Sequence, residues 1–386
     1  MVNKLSSILV LAYVLAVRAE IADMNKFLKS TVEQHHYPAE LHPVETSDGY
    51  RLTMVRIPAP GKPVLFLMHS FLSSSAEYTV LGTNVSLAFQ AFDEGFDVWL
   101  ANSRGNMFSR AHRTLDPSEQ DFWRFSFHEV GIYDLPAMID YALNATGKNK
   151  LHFVGHSQGA VSFLVMASTV PKYNAKIASA HLNAPVAFWS RNAIPYNVLD
   201  SEVIPAIELM EEVGFLEVGG RTQTNVVDYV RGALRKGYIG EELLLMGVWM
   251  LFGEDQDGLD RSKMDAILEI FPAGGSIRQV IHFTQTYRAK RFCQYDFGEK
   301  QNLAQYGSPN PPDYALENIG APVALYYGLN DPMVVEEDLN ELVAKLPNMI
   351  LKYLHPNPKW NHIDFSFGQN GYGVHQKVLS LAKKYE

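Results

Sequence analysis

Five residues, Gly155-His156-Ser157-Gln158-Gly159, carry the densest chemical information in the chain. Before them runs the apolar stretch Leu151 to Val154. After them, Gln158 to Ser168 reads as a helix. A strand, a tight turn with a serine at its apex and a helix make a nucleophile elbow. The glycines have a steric task, because side chains at 155 and 159 would collide with the neighbouring strand and helix. Ser157 is then held at the carboxyl edge of a sheet and at a helix N-terminus. There the helix dipole and free N–H groups favour developing negative charge. Such a serine attacks a carbonyl carbon only if a base takes its proton. His362, in Trp360-Asn361-His362-Ile363-Asp364-Phe365, is the candidate base, and would return the proton to the leaving alcohol. Asp331, in Gly328-Leu329-Asn330-Asp331, would hold the imidazole tautomer and stabilise the imidazolium. Two backbone donors should receive the oxyanion: the amide of Gln158, just after the serine, and that of Phe71, in His69-Ser70-Phe71-Leu72. The competing readings are structural. Ser157 and Asp331 could be plain turn residues, His362 a core histidine, and His69 to Leu72 an ordinary strand exit.

These residues need a scaffold that gathers them at one edge. Pro63 to Met68 and Val98 to Ala101 are nearly unbroken apolar runs, which predicts strands buried on both faces of a parallel sheet. Ile177 to Val186, Val323 to Tyr327 and Ile350 to Leu354 are further strands. Ser86 to Glu94, Val130 to Leu143 and Val374 to Lys384 are helices between or after them. At the front, Ile21 to His36 has helical spacing. His42 to Pro58 reads as a hairpin turning at Ser47-Asp48-Gly49. The alternation predicts an α/β fold with a mostly parallel central sheet flanked by helices. Asp331 and His362 follow strand carboxyl ends, the edge that also carries Ser157, and their chain order Ser–Asp–His is that of α/β-hydrolases. From about Phe188 to Tyr306 the alternation stops. The apolar clusters at Ile204-Ala206-Ile207-Met210, Leu243 to Phe252 and Ile267-Leu268-Ile270-Phe271 predict a helical insertion roofing the site. Ser308-Pro309-Asn310-Pro311-Pro312 closes it as a stiff linker.

The 386 residues are 47% hydrophobic and 19% charged, ample for a large core and an insertion. The net charge of −9 argues against a nucleic acid or an anionic membrane held by charge. Cys293 is the one cysteine, so no internal disulfide forms, and its expected role is packing. No cofactor or metal is implied. Lys4, the short apolar run Leu5 to Val17 and Val17-Arg18-Ala19 predict a signal peptide over residues 1–19, cut after Ala19. An uncleaved anchor is the alternative. No other stretch reads as a membrane span. On the secretory route, Asn84-Val85-Ser86 and Asn144-Ala145-Thr146 become glycosylation sites at Asn84 and Asn144.

Several segments together resemble the animal acid lipases, the family of gastric, lingual and lysosomal acid lipases and of secreted invertebrate lipases. They are His36 to Glu40 with Thr46 to Tyr50, Asp97 to Asn106, Tyr133 to Ala137, the Ser157 motif, Asn330-Asp331 and Asn361 to Phe365. The resemblance covers nearly the whole chain beyond residue 19. It implies an α/β-hydrolase core over 20–187 and 311–386, with a helical cap and lid inserted at 188–310. It also implies Ser157, Asp331 and His362 as the triad, and Phe71 and Gln158 as oxyanion donors. The implied activity is a secreted serine lipase cutting triacylglycerol first and cholesteryl ester second at a lipid–water interface. Release to an extracellular or gut lumen is expected, with the lysosome as the alternative destination; the oligomeric state is open. Two residues depart from the family's usual His-Gly-Leu-Leu: Ser70 replaces a glycine and Phe71 a leucine, either of which would narrow acyl selectivity or shift the loop. The cap disulfide of vertebrate members is impossible here. Asn102 to Asn106 is expected to shape a loop at the active edge, and Asp364 to serve its own loop. A carboxylesterase for small soluble esters and a non-catalytic lipid-binding protein on a lipase fold are the alternative functions.

Overall fold

The computed structural model describes residues 23–189, 204–220, 246, 248–249 and 251–386. The expected signal peptide at 1–19 lies outside them, as does part of the run Leu243 to Phe252.

The central apolar runs become strands buried on both faces, and shorter or more polar strands flank them. In chain order these are β1 (Glu40–Glu45), β2 (Tyr50–Ile57), β3 (Val64–Met68), β4 (Asp97–Ala101), β5 (Ala111–His112), β6 (Leu151–His156) and β7 (Ile177–Asn183). Then follow β8 (Glu217–Val218), β9 (Gly275–Ser276), β10 (Val323–Tyr327) and β11 (Met349–Leu354). Among the described residues the main sheet has nine strands, ordered β1-β2-β4-β3-β6-β7-β10-β11, with β5 paired to β2. From β4 to β11 every pairing is parallel. β3, β4, β6 and β10 are buried at every position; β3 and β10 are apolar throughout, while β4 opens on Asp97 and β6 carries His152 and His156. β11 is the partly exposed edge. At the other edge β1 and β2 form the expected hairpin, with Val44 opposite Leu52.

The helix Gln158–Thr169 is buried from Gln158 through Ser168 and runs through the middle of the core, so it is apolar on all sides rather than amphipathic. The helix expected at 130–143 starts later: Val130–Asp134 takes wider π-type turns, and the α-helix proper is Leu135–Thr146. The strand at 177 is shorter than its apolar run and ends at Asn183.

Between β7 and β10 the described residues form the helices Ile204–Glu212, Met264–Ile270, Ile277–Ala289 and Glu299–Tyr306. The region is not purely helical. Glu217 and Val218 pair antiparallel with Ser276 and Gly275, a two-stranded ribbon the spacing did not predict. This region shares the sheet's core: Phe283 and Phe292 pack with Phe127, at ring separations of 4.7 and 6.3 Å.

Candidate active site

Ser157 sits between β6 and the helix Gln158–Thr169 with φ 52° and ψ −115°, a strained conformation for a residue with a side chain. The turn is locked by the Ser157 amide donating to the Asn183 carbonyl at 2.9 Å. The glycines do what the motif requires. A Cβ on Gly159 would lie 2.4 Å from the Met68 carbonyl oxygen on β3. One on Gly155 would lie 2.7 Å from the Ala160 nitrogen. Both obstacles are backbone, so no rotamer change relieves them.

The two loops beyond β10 and β11 bring the other polar groups to the same edge. Nε2 of His362 is 2.8 Å from the Ser157 hydroxyl, and its Nδ1 is 2.8 Å from Oδ2 of Asp331. Oδ1 of Asp331 accepts the amides of Met333 and Val334 at 2.8 and 3.2 Å, which leaves Oδ2 for the imidazole. A carboxylate can only accept, so the proton of His362 sits on Nδ1 and Nε2 is free to take one from the serine. All three side chains are buried.

The segment after Leu251 is bonded to both loops. The Phe252 carbonyl accepts the His362 amide at 3.1 Å, and its ring stacks on that imidazole at 5.8 Å. Asn361 donates to the Gly253 carbonyl at 2.7 Å, and Asn330 to the Glu254 carbonyl at 2.7 Å. Asp364 accepts the Asn361 amide at 2.9 Å, the local role expected of it. Burial pushes its carboxyl up to about 7; the Asn361 amide opposes this, while Asp255 and Asp331 add to it.

The Gln158 amide is the first of its helix and has no intrahelical acceptor. Among the described residues no backbone acceptor takes the Phe71 amide. The loop carrying Phe71 is bracketed by His69. Its Nδ1 donates to the Ser70 carbonyl at 2.7 Å, so Nε2 accepts the Ser103 amide at 3.1 Å and the Asn106 side chain at 3.2 Å. Burial lowers the His69 pKa, consistent with a neutral ring.

Asn102 to Asn106 therefore shapes the edge and lies outside the Ser157–His362–Asp331 chain. Asn102 accepts the Ser75 amide at 2.9 Å. Arg104 is buried between Asp134 and Asp48, each reached at 2.7 Å, and stacks 4.0 Å over Tyr50. Three segments far apart in sequence thus meet in one ion-pair cluster. Cys293 is buried, with its thiol pushed up to about 11 by burial, which makes it a packing residue and a poor nucleophile. Asn84 and Asn144 are exposed. No group of three or more His, Cys, Asp or Glu among the described residues is arranged to hold a metal.

Ser157 and His362 open onto a cavity of about 320 Å³. Phe71, Leu72, Val186 and Met333 wall it from the sheet side; Ile207, Leu251, Phe252, Phe271, Phe283 and Tyr287 close it from the region between β7 and β10. Its lining is almost wholly apolar, with the serine and histidine as its reactive polar groups. Spacing alone did not disclose three groups at this edge: His156, Glu77 and Gln279. Gln279 donates to the Gln158 side chain at 2.9 Å, joining the helix Ile277–Ala289 to the elbow. A Ser276-x-x-Gln279 capping box marked that helix start, but nothing local marked its partner.

Family models match the chain as an alpha/beta hydrolase fold over residues 63–209 and as a partial alpha/beta-hydrolase lipase region over residues 28–82. The chain is 39% identical to Lipase 3 of Drosophila melanogaster, over 97% of this chain and 96% of that one. It is 31% identical to the human lysosomal acid lipase/cholesteryl ester hydrolase, over 94% and 92%. It is 33% identical to the gastric triacylglycerol lipase of Bos taurus, over 89% and 88%.

Proposed function

The chain belongs to the acid lipase family of α/β-hydrolases, a lipase and ester hydrolase; from that premise we propose that it cuts the ester bonds of neutral lipids through an acyl-serine intermediate. The observation that carries this is the Ser157 hydroxyl, 2.8 Å from a correctly tautomerised His362, on the floor of an apolar cavity. Ser157 Oγ attacks the ester carbonyl carbon while its proton passes to Nε2 of His362. Asp331, fixed by two backbone amides, stabilises the imidazolium that forms. The carbonyl oxygen becomes an oxyanion facing the Phe71 and Gln158 amides. Collapse breaks the bond to the alcohol, which leaves with the proton from His362. Water, deprotonated by the same imidazole, then releases the fatty acid and restores Ser157.

In this reading triacylglycerol is the first substrate and cholesteryl ester the second. An apolar cavity favours long acyl chains over charged groups. Relatives named for triacylglycerol and for cholesteryl ester support both substrates. Residues 188–310 are the cap and lid in this reading. The leader at 1–19 and the exposed Asn84 and Asn144 fit a glycosylated protein on the secretory route, released to a lumen, with the lysosome as the alternative. Among the described residues no helix is long and apolar enough to cross a membrane.

The test is fatty-acid release from a triacylglycerol emulsion at acid and at neutral pH, beside Ser157→Ala. Release by the parent and its loss in the variant is the expected result. Turnover of a short dissolved ester with no release from the emulsion would replace this reading by a carboxylesterase. Silence on both from a folded protein that still binds lipid would replace it by a lipid carrier.

A further inference from the structure

One buried carboxylate, outside the Ser157–His362–Asp331 chain, touches both halves of the site. Glu77 lies in the short turn Ser75–Tyr78 and is 2% exposed. Its two oxygens each stand 3.3 Å from the Ser70 amide, and Oε2 accepts the Ser70 hydroxyl at 2.9 Å. Oε1 lies 3.8 Å from Nδ1 of His156, the residue before Ser157. His156 in turn donates from Nε2 to the carbonyl of His362 at 3.0 Å, and its Nδ1 meets the Ser366 hydroxyl at 2.7 Å. Burial pushes the Glu77 carboxyl upward, but the neighbouring His156 imidazole pulls it down further, and the net direction is below the ordinary glutamate value. A buried charge of this kind holds its donors firmly, because each lost donor leaves it unsatisfied.

The consequence is directional. The Ser70 N–H is committed to Glu77, and so is the Ser70 hydroxyl. The next amide, that of Phe71, is left without a backbone acceptor among the described residues. Where the family usually has glycine, Ser70 gives Glu77 a second donor, so the departure and the buried carboxylate belong together. We propose that Glu77 is a positioning residue: by holding both donors of Ser70 it aims the Phe71 amide at the oxyanion, and through His156 it keeps the His362 loop in register with Ser157. This rests on the reading of Phe71 and Gln158 as oxyanion donors. Glu77 touches no substrate, so its effect belongs in kcat and in transition-state affinity, with little effect on KM.

The experiment uses the full chain and the variants Glu77→Gln, Ser70→Gly and both together. Turnover of dissolved p-nitrophenyl butyrate is normalised to active sites titrated with a fluorophosphonate. Affinity for an alkyl boronic acid, which forms a tetrahedral adduct on Ser157, is measured beside it. Deleting an oxyanion donor costs about 10²- to 10³-fold, so misaiming one should lower kcat by roughly 10- to 100-fold in Glu77→Gln. Boronate affinity should fall by a similar factor while KM stays within about twofold. The double variant should cost no more than Glu77→Gln alone, because the hydroxyl acts through the carboxylate. Unchanged kcat per titrated site with unchanged boronate affinity would overturn the proposal. So would a loss confined to the number of titratable sites, which would mean a folding role only. If Glu77→Gln does not fold, Ser70→Gly decides alone: it keeps the backbone bond, and normal turnover with normal boronate affinity sinks the idea. A parent protein without Ser157-dependent turnover would instead refute the hydrolase reading.

Discussion

The chemistry assigned to Ser157 depends on one atom pair, Nδ1 of His362 and Oδ2 of Asp331, 2.8 Å apart. A carboxylate there fixes the imidazole proton on the far side from the serine. Asparagine would keep the shape, and its oxygen could still take the Met333 and Val334 amides. Its NH₂ would then face Nδ1, and the ring would have to move its proton to Nε2 to accept that donor. Nε2 would no longer be a base. Asp331→Asn should therefore lower kcat by an order of 10⁴, the size this tautomer error has in other serine triads, without a matching loss of stability. Turnover of a dissolved ester beside a thermal melt checks this. A loss below about tenfold would mean Asp331 is a loop residue and not the partner of the imidazole. The same scale explains why the glycines admit no substitute. At Gly159 the obstacle 2.4 Å away is a carbonyl of the neighbouring strand.

At the scale of elements, the loop after β11 is held from two sides. Asn361 and Asp364 close it on itself, and Phe252, Gly253 and Glu254 clamp it to the loop after β10. Asp364 makes that clamp sensitive to pH. Its ordinary value is 3.8 and burial raises it to about 7. Between those values the unfolded chain releases a proton that the folded chain keeps, so stability falls as pH rises through the window. Asp364→Asn, which can still accept the Asn361 amide, should remove that part of the fall. Urea unfolding at about pH 4 and about pH 7.5 should show the variant gaining stability on the parent as pH rises. An unchanged difference between the two pH values would show that Asp364 contributes no proton linkage. The central strands were legible in the sequence because strands buried on both faces must be largely apolar, as β3 and β10 are throughout and β6 is at Leu151, Phe153 and Val154. The chain order of Ser157, Asp331 and His362 was legible because each follows a strand end, although β11, which precedes His362, is a partly exposed edge. What the sequence could not disclose were pairings made only by folding. His156 meets the carbonyl of His362 across 206 positions. Glu77 reaches back to Ser70 in a loop without regular structure. The short ribbon of β8 and β9 has two residues per strand, too few for any period to register.

At the scale of the molecule, the cavity is a joint product of the sheet edge and the region between β7 and β10, and that second wall continues onto the surface. Ile207 and Leu251 line the cavity. From the same segments Leu209 is 54% exposed, Val213 74% and Met246 61%. Large apolar side chains left in water on segments that also line an apolar cavity carry a cost that a soluble substrate does nothing to relieve. A lipid surface relieves it by burying them at roughly 25 cal/mol per Å². The cavity and these exposed side chains would then have separable tasks, the cavity handling one ester and the exposed side chains meeting a phase that holds many. Leu209→Ser with Val213→Ser should leave turnover of dissolved p-nitrophenyl butyrate within about twofold while lowering release from a triacylglycerol emulsion several-fold. The two rates measured on one preparation decide it. An equal fall on both substrates would mean that these side chains support the cavity wall, and equal rates in variant and parent would mean that the protein meets its lipid through another face.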